Sequence, residues 1–146
     1  MPKWVSASIP TFQASPDNPA RTEITSGDLA VMKLLIVEDS AEMRRMIKRV
    51  LKDLASEISE CEDGSEALAS FARHEPDWVL MDIGMKKMDG LTATRHLLAH
   101  WPQARVVIVT SHDDDLLREQ AQQAGAVGYV LKENLLTLRQ RLQAAA

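Results

Sequence analysis

The sequence predicts an α/β protein built on a doubly wound, five-stranded parallel sheet. Two observations carry this reading. Short, unbroken apolar runs recur along the chain, most clearly Leu34-Leu35-Ile36-Val37, Trp78-Val79-Leu80-Met81 and Val106-Val107-Ile108-Val109. Runs of that length, uninterrupted by polar residues, suit strands buried on both faces. Between them lie stretches whose apolar residues recur at helical spacing. Strands and amphipathic helices in alternation imply a parallel sheet covered on both faces and joined by right-handed crossovers.

The elements follow in order. After the first strand, Leu34 to Val37, comes Ser40, an N-cap residue. Met43, Met46, Ile47, Val50, Leu51 and Leu54 then form the apolar face of the first helix, with Arg44, Arg45, Lys48 and Lys52 between them. Weaker strand character runs from Glu57 to Cys61. Asp63-x-x-Glu66 resembles a capping box, and the second helix runs from Ser65 to His74. Trp78 to Met81 is the third strand, and Leu91 to about His100 the third helix. Val106 to Val109 is the fourth strand, and Ser111-x-x-Asp114 caps the fourth helix. Ala126 to Leu131 reads as the fifth strand, and Asn134 opens a last helix with Leu135, Leu138 and Leu142 on one side. For five strands the commonest doubly wound solution is the flavodoxin-like order 2-1-3-4-5, a (βα)5 unit.

Composition sets the broad class. With 146 residues, 45% apolar and 26% charged, the chain has the make-up of one soluble globular domain. The net charge of −4 argues against a nucleic-acid-binding surface, which shows as a basic patch. The single cysteine, Cys61, cannot form an internal disulfide and suits a reducing, cytoplasmic setting. No apolar run approaches the ~18 residues of a membrane span, and the N-terminus lacks the roughly 7–15-residue apolar stretch of a secretory signal. Residues 1–31 hold four of the six prolines and no sustained period, so they are expected to form a flexible extension before a domain spanning 32–146.

Function is read from the strand ends, because ligands of open α/β sheets bind beyond the carboxyl edge. The first strand ends in Glu38-Asp39, the third in Asp82 and the fourth in Thr110-Ser111; the fifth runs through Tyr129 to Lys132. In the order 2-1-3-4-5, Glu38, Asp39, Asp82, Thr110 and Lys132 line one shallow pocket. Three carboxylates against one ammonium need either a shared proton or a hard divalent cation. With neither Cys nor His at a strand end, Mg²⁺ fits better than zinc, and Mn²⁺ is the nearest substitute. Thr110 and Lys132 beside such a metal suit a phosphoryl group, and Asp82 could then act as a nucleophile.

This set resembles the receiver domain of two-component response regulators. The resemblance covers about residues 32 to 146 and rests on Glu38-Asp39, Asp82 in "LMDIGMKKMDG", Thr110-Ser111, and Lys132 after "GAVGYVLK". It implies that Asp82 accepts a phosphoryl group from a phosphohistidine on a sensor histidine kinase or phosphotransfer protein. It also implies Mg²⁺ held by Asp39, Asp82 and the backbone carbonyl of Gly84, with Glu38 acting through water. Lys132 would contact the phosphoryl group and Thr110 would hydrogen-bond it. Tyr129 matches the aromatic that swings inward with the threonine, so a downstream protein, or a second copy in a phosphorylation-dependent homodimer, reads the change. No separate substrate turnover, nucleic acid or membrane contact is implied.

Two positions depart from the family pattern. Met85-Lys86 stands where Met-Pro is usual, which leaves φ unfixed in the loop after Asp82. Glu133 follows Lys132 where the family usually has a cis proline. Gly84 and His112 sit where the family tunes phosphoryl lifetime. Competing readings are a receiver-like interaction module that is never phosphorylated and an aspartyl-phosphate phosphatase. The phosphatase needs a general acid two residues after the nucleophile, where Gly84 stands, and an unphosphorylated module usually loses acidic residues or the lysine. His96 and His100, spaced i,i+4, are read as surface residues because no third metal ligand is evident.

Overall fold

The computed structural model describes residues 32–145; the extension expected over 1–31 lies outside the described residues. Five parallel strands form one sheet in the order β2-β1-β3-β4-β5. They are β1 (Met32–Val37), β2 (Ala55–Cys61), β3 (Trp78–Met81), β4 (Val106–Thr110) and β5 (Gly128–Leu131). The helices are α1 (Ala41–Leu51), α2 (Ala67–His74), α3 (Gly90–His100), α4 (Asp115–Ala124) and α5 (Leu135–Ala145). Among the described residues no helix is long and apolar enough to cross a membrane.

Successive strand residues point to opposite faces, and both faces are covered. Leu34, Ile36, Leu80, Val107 and Val109 pack on α1 and α5 through Ile47, Leu51, Leu138 and Leu142. Leu35, Val37, Val79, Met81 and Ile108 pack on the other side against Phe71 of α2, Leu97 of α3 and Ala121 of α4. That double burial is why β1, β3 and β4 carry no alternation of polar residues. By contrast β2 lies at the sheet edge and leaves Ser56, Glu57 and Glu60 exposed, so its signal in the sequence is weak.

Local rules explain most boundaries. The Ser40 hydroxyl accepts from the Met43 amide at 3.1 Å, as an N-cap should. At α4 the cap is Asp114, which accepts from the Leu117 amide at 3.0 Å, three residues later than the expected Ser111. Ser111 still belongs to the turn that leaves β4. Met46, expected on the buried face of α1, is 40% exposed. It precedes the buried Ile47 by one residue, about 100° around the helix.

One tie joins the first and last helices. Arg139 of α5 donates to both oxygens of Asp53 at 2.7 and 2.8 Å and to the Val50 carbonyl at 2.8 Å. Asp53 is exposed, so the ionic part is screened by salt. Arg139→Ala is expected to lower the thermal unfolding midpoint modestly, more at low than at high ionic strength. Unfolding curves across a salt series measure this, and a salt-independent loss would assign the tie to the Val50 carbonyl alone.

Candidate functional site

The carboxyl ends of the strands stay in register one residue beyond the sheet. The Asp82 amide donates to the Val37 carbonyl and the Glu38 amide to the Cys61 carbonyl, both at 3.0 Å. The backbone is thereby satisfied where the side chains turn from core to pocket. Glu38, Asp39 and Asp82 each bring a carboxylate oxygen into one group whose members lie within 4.8 Å of one another. Lys132, directly after β5, reaches across: its Nζ lies 2.9 Å from Glu38 Oε1 and 3.2 Å from Asp82 Oδ1. Thus four of the five residues expected to share a pocket do meet in one constellation.

Burial divides the three acids. Glu38 and Asp82 are buried, at 1% and 6% exposure, while Asp39 is exposed. Burial pushes the Asp82 carboxyl up from its ordinary value against the opposing pull of Lys132. Glu38 is likewise raised by burial, with the Lys132 and Ser40 hydrogen bonds opposing. For Lys132, burial acts downward, but its bonds to Glu38 and Asp82 outweigh it and keep the ammonium charged. Both Glu38 oxygens are engaged, Oε1 by Lys132 and Oε2 by the Ser40 amide at 3.0 Å.

Three carboxylates and one ammonium leave two negative charges in excess. All the candidate donors in this group are oxygens, with no Cys or His, which suits a hard divalent cation such as Mg²⁺ rather than zinc. Both Glu38 oxygens and one Asp82 oxygen already meet partners, whereas Asp39 is exposed. Gly84, whose carbonyl was expected to complete the set, lies exposed in the loop after β3.

Thr110 ends β4 and is buried, with its Oγ1 accepting from the His112 amide at 3.2 Å. The Tyr129 hydroxyl donates to the His112 carbonyl at 2.6 Å, and the Arg118 guanidinium covers the tyrosine ring at 4.5 Å. The two residues expected to move together therefore grip one peptide residue from its two ends. His96 and His100 are exposed on α3, and the His100 ring meets the His96 carbonyl at 3.0 Å. The Lys132–Glu133 peptide is trans, since no cis bond occurs among the described residues.

The residue that sequence reasoning missed is Asp63. Read as half of a capping box, it does accept from its own turn, through Ser65 at 2.9 Å. Glu66 does not complete the box; its Oε1 accepts from the Glu62 amide at 3.3 Å. Instead Asp63 reaches the loop after Asp82, accepting from the Lys87 amide at 2.9 Å and the Met88 amide at 3.1 Å. Burial opposes its ionisation, but the bonds from Ser65, Lys87 and Met88 outweigh that and hold the carboxyl at about 2, against an ordinary 3.8. A depressed folded-state pKa adds stability that is complete above pH ~3.8 and lost as pH falls through about 2. The stability difference between wild type and Asp63→Asn is expected to stay constant down to that window and shrink within it. Unfolding midpoints from neutral pH downward measure the difference, and a gap unchanged through the window would show that the acid is not held ionised.

Known proteins agree with this architecture. The model of the response regulator receiver domain matches residues 34–143, so the chain belongs to that family. The chemotaxis protein CheY of Bacillus subtilis is 38% identical over 101 residues, covering 68% of this chain and 84% of CheY. The transcriptional regulatory protein DegU of Brevibacillus brevis is 34% identical over 104 residues, covering 70% of this chain but only 44% of DegU. Among solved structures, a CheX–CheY–BeF3–Mg²⁺ complex from Borrelia burgdorferi aligns with TM-score 0.74 at 25% identity, over 80% of this chain and 90% of that one. A LuxR-family response regulator from Aurantimonas aligns with TM-score 0.73 at 28% identity, over 80% and 85%. The protein carries a receiver domain of the kind found in two-component response regulators.

Proposed function

We propose that Asp82 is the phosphoacceptor and that its phosphorylation is Mg²⁺-dependent. The observation that carries this is Lys132 bridging Glu38 and Asp82 inside a three-carboxylate group. An Asp82 oxygen attacks phosphorus of a phosphohistidine on a sensor kinase or phosphotransfer protein. The O–P bond forms as the P–N bond breaks, its electron pair leaving on the imidazole nitrogen. A bound divalent cation supplies charge neutralisation for the phosphoryl oxygens. Asp39, Asp82 and the Gly84 carbonyl would hold it, with Glu38 acting through water. Lys132 exchanges part of its contact with the carboxylates for the arriving phosphoryl oxygens.

Thr110 then donates its hydroxyl to the phosphoryl group and releases the His112 amide. Since Tyr129 holds the carbonyl of the same residue, the turn after β4 carries the change to Tyr129. A downstream protein reads the surface around α4, β5 and α5. The reading is supported by the fold match to a CheY-containing complex solved with BeF3 and Mg²⁺. Intact-mass spectrometry after incubation with acetyl phosphate, with Mg²⁺ or with EDTA, tests the reading. One Mg²⁺-dependent phosphoryl adduct is expected; an adduct formed equally in EDTA would remove the metal from the mechanism. Absence of any adduct together with absence of Mg²⁺ binding would favour an unphosphorylated interaction module.

A further inference from the structure

The loop between β3 and α3 holds Gly84 and follows directly on Asp82, yet its residues 84, 86, 87 and 89 are exposed. Its ends are closed into a ring, because the Gly90 amide donates to the Ile83 carbonyl at 2.8 Å. Gly90 also packs so closely that a Cβ there would lie 1.8 Å from the Asp82 carbonyl oxygen. Closure of the ends does not by itself fix the middle, where no proline limits φ. Asp63 fixes it, from a turn 24 and 25 residues earlier in the chain.

We propose that Asp63 is the positioning residue of the acceptor loop, holding the Lys87 and Met88 amides so that the Gly84 carbonyl and Asp82 keep one arrangement for a divalent cation. This rests on the metal site proposed above. A helix cap alone has no use for these contacts. A cap needs an acceptor for its own first-turn amides, which the Ser65 bond already supplies, whereas the other two bonds go to a separate segment. The neighbouring Gly64 points the same way: a Cβ there would lie 2.6 Å from the Met88 carbonyl oxygen and 3.0 Å from Ala93 Cβ. The Asp63-Gly64 turn is thus seated against the loop through an acid that takes two amides and a glycine that admits a carbonyl. Asp63 touches neither metal nor phosphoryl group; it acts through the loop, as outer-shell partners of metal ligands do.

The test uses wild type, Asp63→Ala, Asp63→Asn and, as a control away from the site, Arg139→Ala. Hydrogen exchange of the Lys87 and Met88 amides, followed by NMR, reads the tether directly. Calorimetric Mg²⁺ titration reads affinity, and adduct formation from acetyl phosphate is timed at low and at saturating Mg²⁺. In Asp63→Ala both amides are expected to lose protection and Mg²⁺ affinity to fall about tenfold, the low end for losing an outer-shell partner. The adduct rate is expected to fall at low Mg²⁺ and recover at saturation, because positioning is lost and the nucleophile is kept. Asp63→Asn retains an acceptor oxygen and should fall between the two, which long-range loss of charge would not produce. Arg139→Ala should alter neither protection nor affinity. Wild-type affinity in Asp63→Ala overturns the positioning role, and unchanged protection overturns the tether itself. A wild type that binds no Mg²⁺ overturns the metal reading as well, so the two failures are told apart.

Discussion

Asp82→Asn is expected to fold, to bind Mg²⁺ more weakly than wild type and to gain no phosphoryl mass under conditions that label wild type. The substitution replaces one carboxylate oxygen by an amide of nearly the same size, so the β3 terminus keeps its packing. It removes the carboxylate proposed as the nucleophile, and an amide oxygen forms no stable acyl phosphate. The same change relieves repulsion, because Asp82 is buried among like charges from Glu38 and Asp39 within 4.8 Å. Burial already pushes its carboxyl upward, which means the ionised form is held at a cost to the folded state. Without added metal the variant should therefore unfold at or above the wild-type midpoint. Intact mass and thermal unfolding measured side by side decide the matter. Full labelling of the variant would place the acceptor elsewhere, and a collapsed midpoint would show that Asp82 chiefly serves the fold.

The strand ends were legible because each is announced by an abrupt change of character. An apolar run stops at a carboxylate, a group that is costly to bury without a partner, as at Val37-Glu38 and Met81-Asp82. Strand order then follows from topology alone, and it brings residues 38, 39, 82 and 132 together without any knowledge of side-chain geometry. What escaped reading is what depends on distant pairing. Asp63 has a spacing to Glu66 that satisfies a local rule, and nothing in that spacing shows that its main partners are 24 and 25 residues away. The Arg139–Asp53 tie spans 86 residues and escapes for the same reason. The joint hold of Thr110 and Tyr129 on His112 runs through backbone atoms, which carry no sequence signal at all. Helical periodicity, finally, placed Met46 on the apolar stripe, though it sits about 100° around the helix from the buried Ile47 and is 40% exposed.

Lys132→Ala is expected to destabilise the metal-free protein strongly and to make Mg²⁺ the remedy. Removing the ammonium strips Glu38 and Asp82 of the cation at 2.9 and 3.2 Å while both stay buried. Breaking a fully buried pair costs about 3–5 kcal/mol; here Asp39 is exposed and the Lys132 side chain is 18% exposed, so the loss should fall near or below the lower bound. A divalent cation at one hundred times its Kd adds ~2.7 kcal/mol to any form that binds it, which is the same size. Lys132 and the metal compete to neutralise the same carboxylates, so the variant should bind Mg²⁺ at least as tightly as wild type and regain most of its midpoint. Phosphorylation should then proceed on Asp82 but fail to reach Tyr129, because no ammonium remains to draw the phosphoryl oxygens toward the β5 side. Thermal unfolding with and without Mg²⁺ gives the first half of the result, and hydrogen exchange around His112 in the phosphorylated variant gives the second. Equal Mg²⁺ stabilisation of variant and wild type with no metal-free loss would remove Lys132 from the electrostatics of the site. A normal response at His112 would remove it from the switch.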